Sequence, residues 1–460
     1  QSLSGSFPGT DTCPGKSSFP DRQESAEIPN RKTHSKSERN TPMNEQYAQR
    51  LNQAWNQMTR YLFCERTNLI YDYLATLDEH RFDFLPLPEE IQRAFPNNKG
   101  YSTGMEDSMI NAGMAIDICI LRSELFPSTW DECAEFAGKI LKGMELCATV
   151  HGRNGYPVRS VSHRDGKSCY PCSSRDQMTF WIWGLWRYFH SAFAREEERK
   201  RITELAVLLA KRGEREVIPE NDWSILTLDG CPDILNKMDH VQAHEILRLP
   251  LFYRVAFALS GERHWKECYD HLIERALSEA ARPKGNWNHF ELSQFLLTLS
   301  LCQELDPRPE FVRIAGNIAS ITEQLLQDEY LPRLESWTGS WSFPAISWKD
   351  SRNVVLVRRP DGGVVGRDGR LDLRFRQNPG FAALLDLVRI PGNLMAGLLL
   401  APGHTVSPAL LERFRKDFLL PDYSKTYTCS TVNMLYAALL LESTFRKQTH
   451  PAPAACAVCS

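Results

Sequence analysis

Two kinds of helical pattern alternate along this 460-residue chain, and the connections between them alternate in length as well. In EEERKRITELAVLLAKRGE the apolar residues Ile202, Leu205, Ala206 and Leu209 recur at i, i+3, i+4 and i+7, which leaves one buried stripe and a wet back. Phe311, Ile314, Ile318, Ile321 and Leu325 repeat that pattern further on. By contrast, MTFWIWGLWRYF and FELSQFLLTLSLC are apolar nearly all round, and such helices must be covered on most sides. The period predicts about twelve helices and very little strand. They lie near 45–78, 104–123, 129–149, 174–193, 196–212, 239–260, 263–282, 288–305, 308–329, 379–400, 407–417 and 426–446, the tenth interrupted by Pro391-Gly392.

Connections leaving a buried helix are short, as at 124–129, around Ala194, at 260–262 and at 305–308. Those entering one are mostly long, at 79–103, 150–173, 213–238 and 330–378, with 283–287 and 418–425 as brief exceptions. Antiparallel outer and inner helices would gather the short turns on one rim and the long loops on the other. Six such hairpins make an all-α (α/α)6 toroid, expected here as one catalytic domain over 45–447, with function in its long loops. Alternating β-branched residues about Pro-Asp-Gly-Gly in VVLVRRPDGGVVGRDGRLDLRF predict a β-hairpin inserted near 335–378. Trp337, Trp341 and Trp348 precede it, either as a sugar-stacking wall or as anchors for the hairpin.

Residues 1–44 are poor in apolar side chains and read as a disordered leader on a processed chain, and 448–460 as a flexible tail. A periplasmic or extracellular location fits that reading, a cytoplasmic one being the alternative. The net charge of -3 comes from mixed signs with no basic stripe, so nucleic acid is not an expected partner. The longest apolar runs, such as NLMAGLLLAPG, fall short of the roughly 20 residues of a membrane span. Among thirteen cysteines, Cys119, Cys133, Cys147, Cys268 and Cys302 sit in helical patterns as free buried thiols do. The two CxxC pairs, Cys169/Cys172 and Cys456/Cys459, are far apart and lack a nearby His pair, so neither metal nor cofactor is expected.

The starts of the inner helices read GMEDSMIN, SSRDQMTF, DHVQAHEI, NWNHFELS, RQNPGF and YTCSTVN. Each alone has a structural reading: Ser173 or Ser174 is a good N-cap, and an early Asp complements the helix dipole. Their recurrence points to a shared cavity. Glycoside hydrolysis needs a proton donor and a second carboxylate, for which Glu106, Asp107, Asp176 and Glu245 are candidates. Desolvation by Phe180, Trp181 and Trp183 is expected to raise Asp176 towards a proton donor's range, unless Arg175 turns inward. Cleavage by β-elimination needs a base beside a uronate carboxyl and a donor to neutralise it; Asn288 with His289, or His244, would suit. Loop 150–173 brings His151, Arg153, Arg159, His163 and Arg164, either a cationic grip on an acidic sugar or a charged surface loop. Arg175, Gln177, Trp287 and Trp341 complete the candidate substrate contacts.

The run Ser-Ser-Arg-Asp-Gln, followed by an aromatic helix ending Leu185-Trp186-Arg187-Tyr188, resembles the Asp-bearing inner helix of unsaturated glucuronyl hydrolases and related six-hairpin glycosidases over roughly 101–190. The resemblance implies that Asp176 is the acid/base group that starts hydration of an unsaturated uronate, with Asp107 as its acidic neighbour. AHEILRLPLFYRVAF departs from that family's Trp-x-Arg-Gly-x-x-Trp signature. GNWNHFELSQFLLTL is similar to the Asn-His segment of α/α-toroid polysaccharide lyases, which implies carboxyl neutralisation by Asn288 and proton abstraction involving His289, with Tyr156 or Tyr170 as acid/base. The expected activity is hydrolysis of acidic, uronate-containing oligosaccharides, with a lyase as the runner-up and a silent sugar-binding toroid third. A terpene-cyclase-like toroid would require Asp-rich motifs, which are not found.

Overall fold

The computed structural model describes residues 45–101, 103–282, 286–342, 356–358, 364–366 and 379–449. The leader expected at 1–44, Trp348, and the tail beyond Thr449 lie outside the described residues. The chain is predominantly helical, as the periodicity requires. Helix α1 (Glu45–Asn56) continues through a wide turn at Gln57–Leu62 into a short hairpin, β1 (Phe63–Cys64) paired antiparallel with β2 (Leu69–Ile70). The helix expected over 45–78 therefore stops near Leu62. The chain turns extended at Phe63 (φ -82°, ψ 135°), and Asn68 at φ 56° closes the hairpin turn, a left-handed conformation that Asn tolerates.

After α2 (Pro88–Gln92), the elements are α3 (Ser108–Leu125), α4 (Trp130–Thr149), α5 (Arg175–His190), α6 (Glu196–Glu216), α7 (Arg248–Ser260), α8 (Arg263–Ala280), α9 (His289–Leu305) and α10 (Pro309–Leu325). Then follow α11 (Leu331–Glu335), the expected hairpin as β3 (Leu356–Arg358) and β4 (Val364–Gly366), α12 (Pro379–Leu400), α13 (Pro408–Asp417) and α14 (Ser430–Thr449). Two boundaries move. The helix expected from 239 starts only at Arg248, because His240 is left-handed at φ 53° and 243–247 fold as turns. The last helix runs to Thr449, past the expected tail boundary. Pro391 lies inside α12 without ending it.

The two helix types separate as their patterns predict. Helices α3, α5 and α9 are buried on nearly all sides, whereas α6 and α8 keep a charged, exposed back. Helix α3 packs on α5, α5 on α7, α7 on α9, α9 on α12, α12 on α14, and α14 on α3 again. The more amphipathic helices lean on this set, α4 on α3, α6 and α8 on α7, and α10 on α9. Glycine sets the closest approach: a Cβ on Gly113 of α3 would stand 2.2 Å from the Phe180 carbonyl oxygen of α5, and one on Gly392 of α12 would stand 2.7 Å from the Asn433 backbone of α14. Among the described residues no helix is long and apolar enough to cross a membrane. The described cysteines, Cys169 and Cys172 included, are free.

Candidate functional site

A cavity of about 430 Å³ opens by the starts of α3, α5, α7, α9 and α14 and beside the third turn of α12. Its wall takes Asp107 and Ile110 from α3, Asp176 from α5, Glu245 from the turn before α7, His289 and Gln294 from α9, Arg389 from α12, and Thr428 from the segment entering α14. Glu106, Arg159, His244 and Asn288 line it too. Most of the polar helix starts singled out in the sequence thus share one space.

Asp107 occupies the N-cap position of α3, but its carboxylate caps nothing. Gln177 Nε2 donates to its Oδ1 at 3.0 Å, Arg389 Nη2 donates to its Oδ2 at 3.0 Å, and Arg159 Nη1 stands 3.8 Å away. Burial and the nearby Asp72 outweigh the two guanidinium groups and push the Asp107 carboxyl up to about 6. Asp176 goes the other way. Burial favours its neutral form, as the aromatic helix predicts, yet Arg159 and Arg248, the Ser174 hydroxyl and the Gln177 N–H together hold it below the ordinary carboxylate range. The expected proton donor is thus the more acidic member of the pair, and its expected partner is the one that binds a proton more tightly. Two carboxyls driven apart in this way are what acid/base chemistry uses.

Arg175 does turn inward, but to Glu245: Nε donates to Oε1 at 2.8 Å and Nη2 lies 2.7 Å from the same oxygen. Glu245 is also held low, burial being overcome by Arg175, Arg248 and His244. Gln177 is fully buried and bridges rather than facing a substrate, donating to the Glu106 carbonyl as well as to Asp107 and accepting from the Met109 N–H. Neither expected serine caps α5. The Ser174 hydroxyl bonds Asp176 instead, and Ser173 Oγ donates to the Pro157 carbonyl.

His289 projects from the first residue of α9, where burial, assisted by Arg389, depresses its imidazole to about 3 and keeps it neutral. Asn288 and Glu291 form a reciprocal capping box, Asn288 Oδ1 accepting from the Glu291 N–H at 3.0 Å and Glu291 Oε2 from the Asn288 N–H at 3.1 Å. That places Asn288 by the cavity with its carbonyl already engaged.

The cationic grip expected from loop 150–173 does not assemble. Arg159 alone of that set lines the cavity, donating to the Glu106 carbonyl and the Tyr101 hydroxyl at 3.0 Å each. His151 is tied to the Cys147 and Tyr156 carbonyls, His163 lies against Phe82, and Arg164 pairs with Asp83 at 3.1 Å on the surface. Trp287 stands behind the wall, between the rings of His244 and Phe295. Trp341 packs on Trp337 and does not line the cavity. Tyr156 and Tyr170 are buried, bonded to Asn236 and to the Phe95 carbonyl respectively. Tyr73 and Tyr101 are the tyrosines that reach the cavity.

Sequence reasoning missed Asp72, Tyr101, Asp386 and Arg389, all of which line the site. Asp72 was hidden in a stretch read as helix. Arg389 sits in the third turn of an apolar helix, where nothing in the spacing marks the face it joins. Neither the family models nor the curated proteins searched contain a match to this chain.

Proposed function

We propose that the chain is an (α/α)6-toroid glycoside hydrolase in which Asp107 is the general acid and Asp176 the ionised partner. The toroid reading is supported by the succession of buried helices that returns to its first member. The hydrolase reading is carried by one observation: two largely buried carboxyls on adjacent helices face one cavity, one raised to about 6 and the other held low. Asp107 protonates the departing sugar oxygen, and Asp176 either activates a water or attacks the anomeric carbon. Gln177 and Arg389 orient Asp107, while Arg159 and Arg248 keep Asp176 charged.

The uronate part of the expectation rests on Arg159 and Arg389, both already close to Asp107. The same wall carries Asp72, Glu106, Glu245, Glu291 and Asp386, a surplus of carboxylates that disfavours an acidic sugar. The decisive assay is therefore a panel of uronate, neutral and amino oligosaccharides scored for new reducing ends. Release from any of them supports the hydrolase, and silence across the panel sinks it. A lyase reading draws on the neutral imidazole of His289, which could take a proton from the substrate. It requires ultraviolet-absorbing products, because elimination leaves a conjugated double bond; the capping box engages the Asn288 carbonyl and not the amide N–H groups that would meet a carboxylate.

A further inference from the structure

Three of the long connections meet at a cluster that the proposed chemistry does not use. Lys99 comes from the segment before α3, Cys172 from the segment before α5, and Asp233 from the segment before α7. Lys99 Nζ lies 4.0 Å from Cys172 Sγ, the same sulfur lies 3.9 Å from Asp233 Oδ2, and Lys99 is ion-paired to that oxygen. Lys99 is 4% exposed and Cys172 is 1% exposed. The two backbones already touch, the Cys172 N–H donating to the Asn98 carbonyl at 3.3 Å. A thiol, an amine and a carboxylate are thus confined together with little contact with bulk solvent.

We propose that Lys99 and Cys172 are a redox modification site, joined under oxidation by a covalent Nζ–O–Sγ bridge. The ammonium first yields its extra proton to solvent. The Sγ–H bond and one Nζ–H bond then break while Sγ–O and O–Nζ bonds form. With dioxygen as oxidant, one oxygen atom enters the bridge and the other leaves as water with the two hydrogens. With hydrogen peroxide, two molecules are consumed and three waters leave. The flexible four-carbon stem of lysine supplies the closure from the present separation. Thiol reductants supply the electrons that reopen the bridge.

The bridge has a route to the cavity. It takes the ammonium from Asp233, whose Oδ1 accepts from the Leu235 N–H at 2.9 Å. The neighbouring Ile234 carbonyl accepts from Arg175 Nη1, and Arg175 holds Glu245 on the cavity wall. Reversible oxidation is therefore expected to change whatever activity the cavity has. This second effect rests on the functional reading above, whereas the bond itself does not.

The test is peptide mapping of the full chain after exposure to dilute hydrogen peroxide. The expected product is a cross-linked peptide pair containing Lys99 and Cys172, heavier by one oxygen less two hydrogens and released by dithiothreitol. It should be absent from Cys172→Ser and Lys99→Arg proteins. Oxygen on Cys172 alone, a Cys169–Cys172 disulfide, or unmodified peptides would each overturn the proposal. Because the wild-type map decides, a variant that fails to fold does not obscure the answer. If the cross-link appears and no oligosaccharide is cleaved, the bridge stands and only the hydrolase reading falls.

Discussion

Asp107 and Asp176 start adjacent buried helices, yet their surroundings push their proton affinities in opposite directions. With Asp107 as general acid, its proton is present below about 6, so the rate should fall as pH rises through that value. Asp107→Asn should remove this limb and lower kcat on the order of a hundredfold or more. Asp176→Asn should cost a similar factor and remove the acid limb instead; pH–rate profiles of the two variants check both roles. Stability gives an independent reading. A raised native pKa means the folded state holds the Asp107 proton more tightly than the unfolded chain, so this contribution is full at low pH and is lost as pH rises through about 6. Melting temperature followed against pH should show that loss in the wild type and a flatter profile in Asp107→Asn. His289→Ala should change KM more than kcat, since a neutral imidazole adds no proton step in the hydrolase; a collapse of kcat, with absorbing products, would favour the lyase.

Two element-level devices bring these residues together. Gly113 lets α3 meet α5 at backbone distance, so Gly113→Ala forces a Cβ to within 2.2 Å of the Phe180 carbonyl. Destabilisation of about 1–3 kcal/mol is expected, measured by denaturant unfolding, and an unchanged midpoint would contradict the close packing. The Asn288–Glu291 capping box sets the start of α9 and so the position of His289. Asn288→Ala should cost about 1 kcal/mol of stability, with a rate loss far smaller than that of Asp107→Asn. The boundaries that sequence reading placed well, such as α4, α9 and α13, have a capping, proline or polar start. Those it misplaced, near 63 and 240, turn on single backbone changes, the extended Phe63 and the left-handed His240, that leave the apolar period almost undisturbed.

At the scale of the molecule, α14 packs against both α12 and α3, so the last helix joins the beginning of the buried set to its end. Unfolding of the described body should therefore be one cooperative transition, and truncation before Ser430 should abolish it. Two separable transitions would sink the toroid reading. The sequence by itself determined the helical class, which helices are buried and which have a wet face, and that acids, histidines and amides recur where buried helices start. Those properties depend on the 3.6-residue period and on local side-chain chemistry, which a linear chain displays directly. Only the tertiary structure decided which of these groups share a space and what charge each carries there. Arg389 reaches Asp107 from 282 positions away, and Arg248 and Arg159 converge on Asp176 from opposite sides of it in sequence. Proton affinity depends on burial and on charges a few ångströms off, and those distances exist only once the helices have packed.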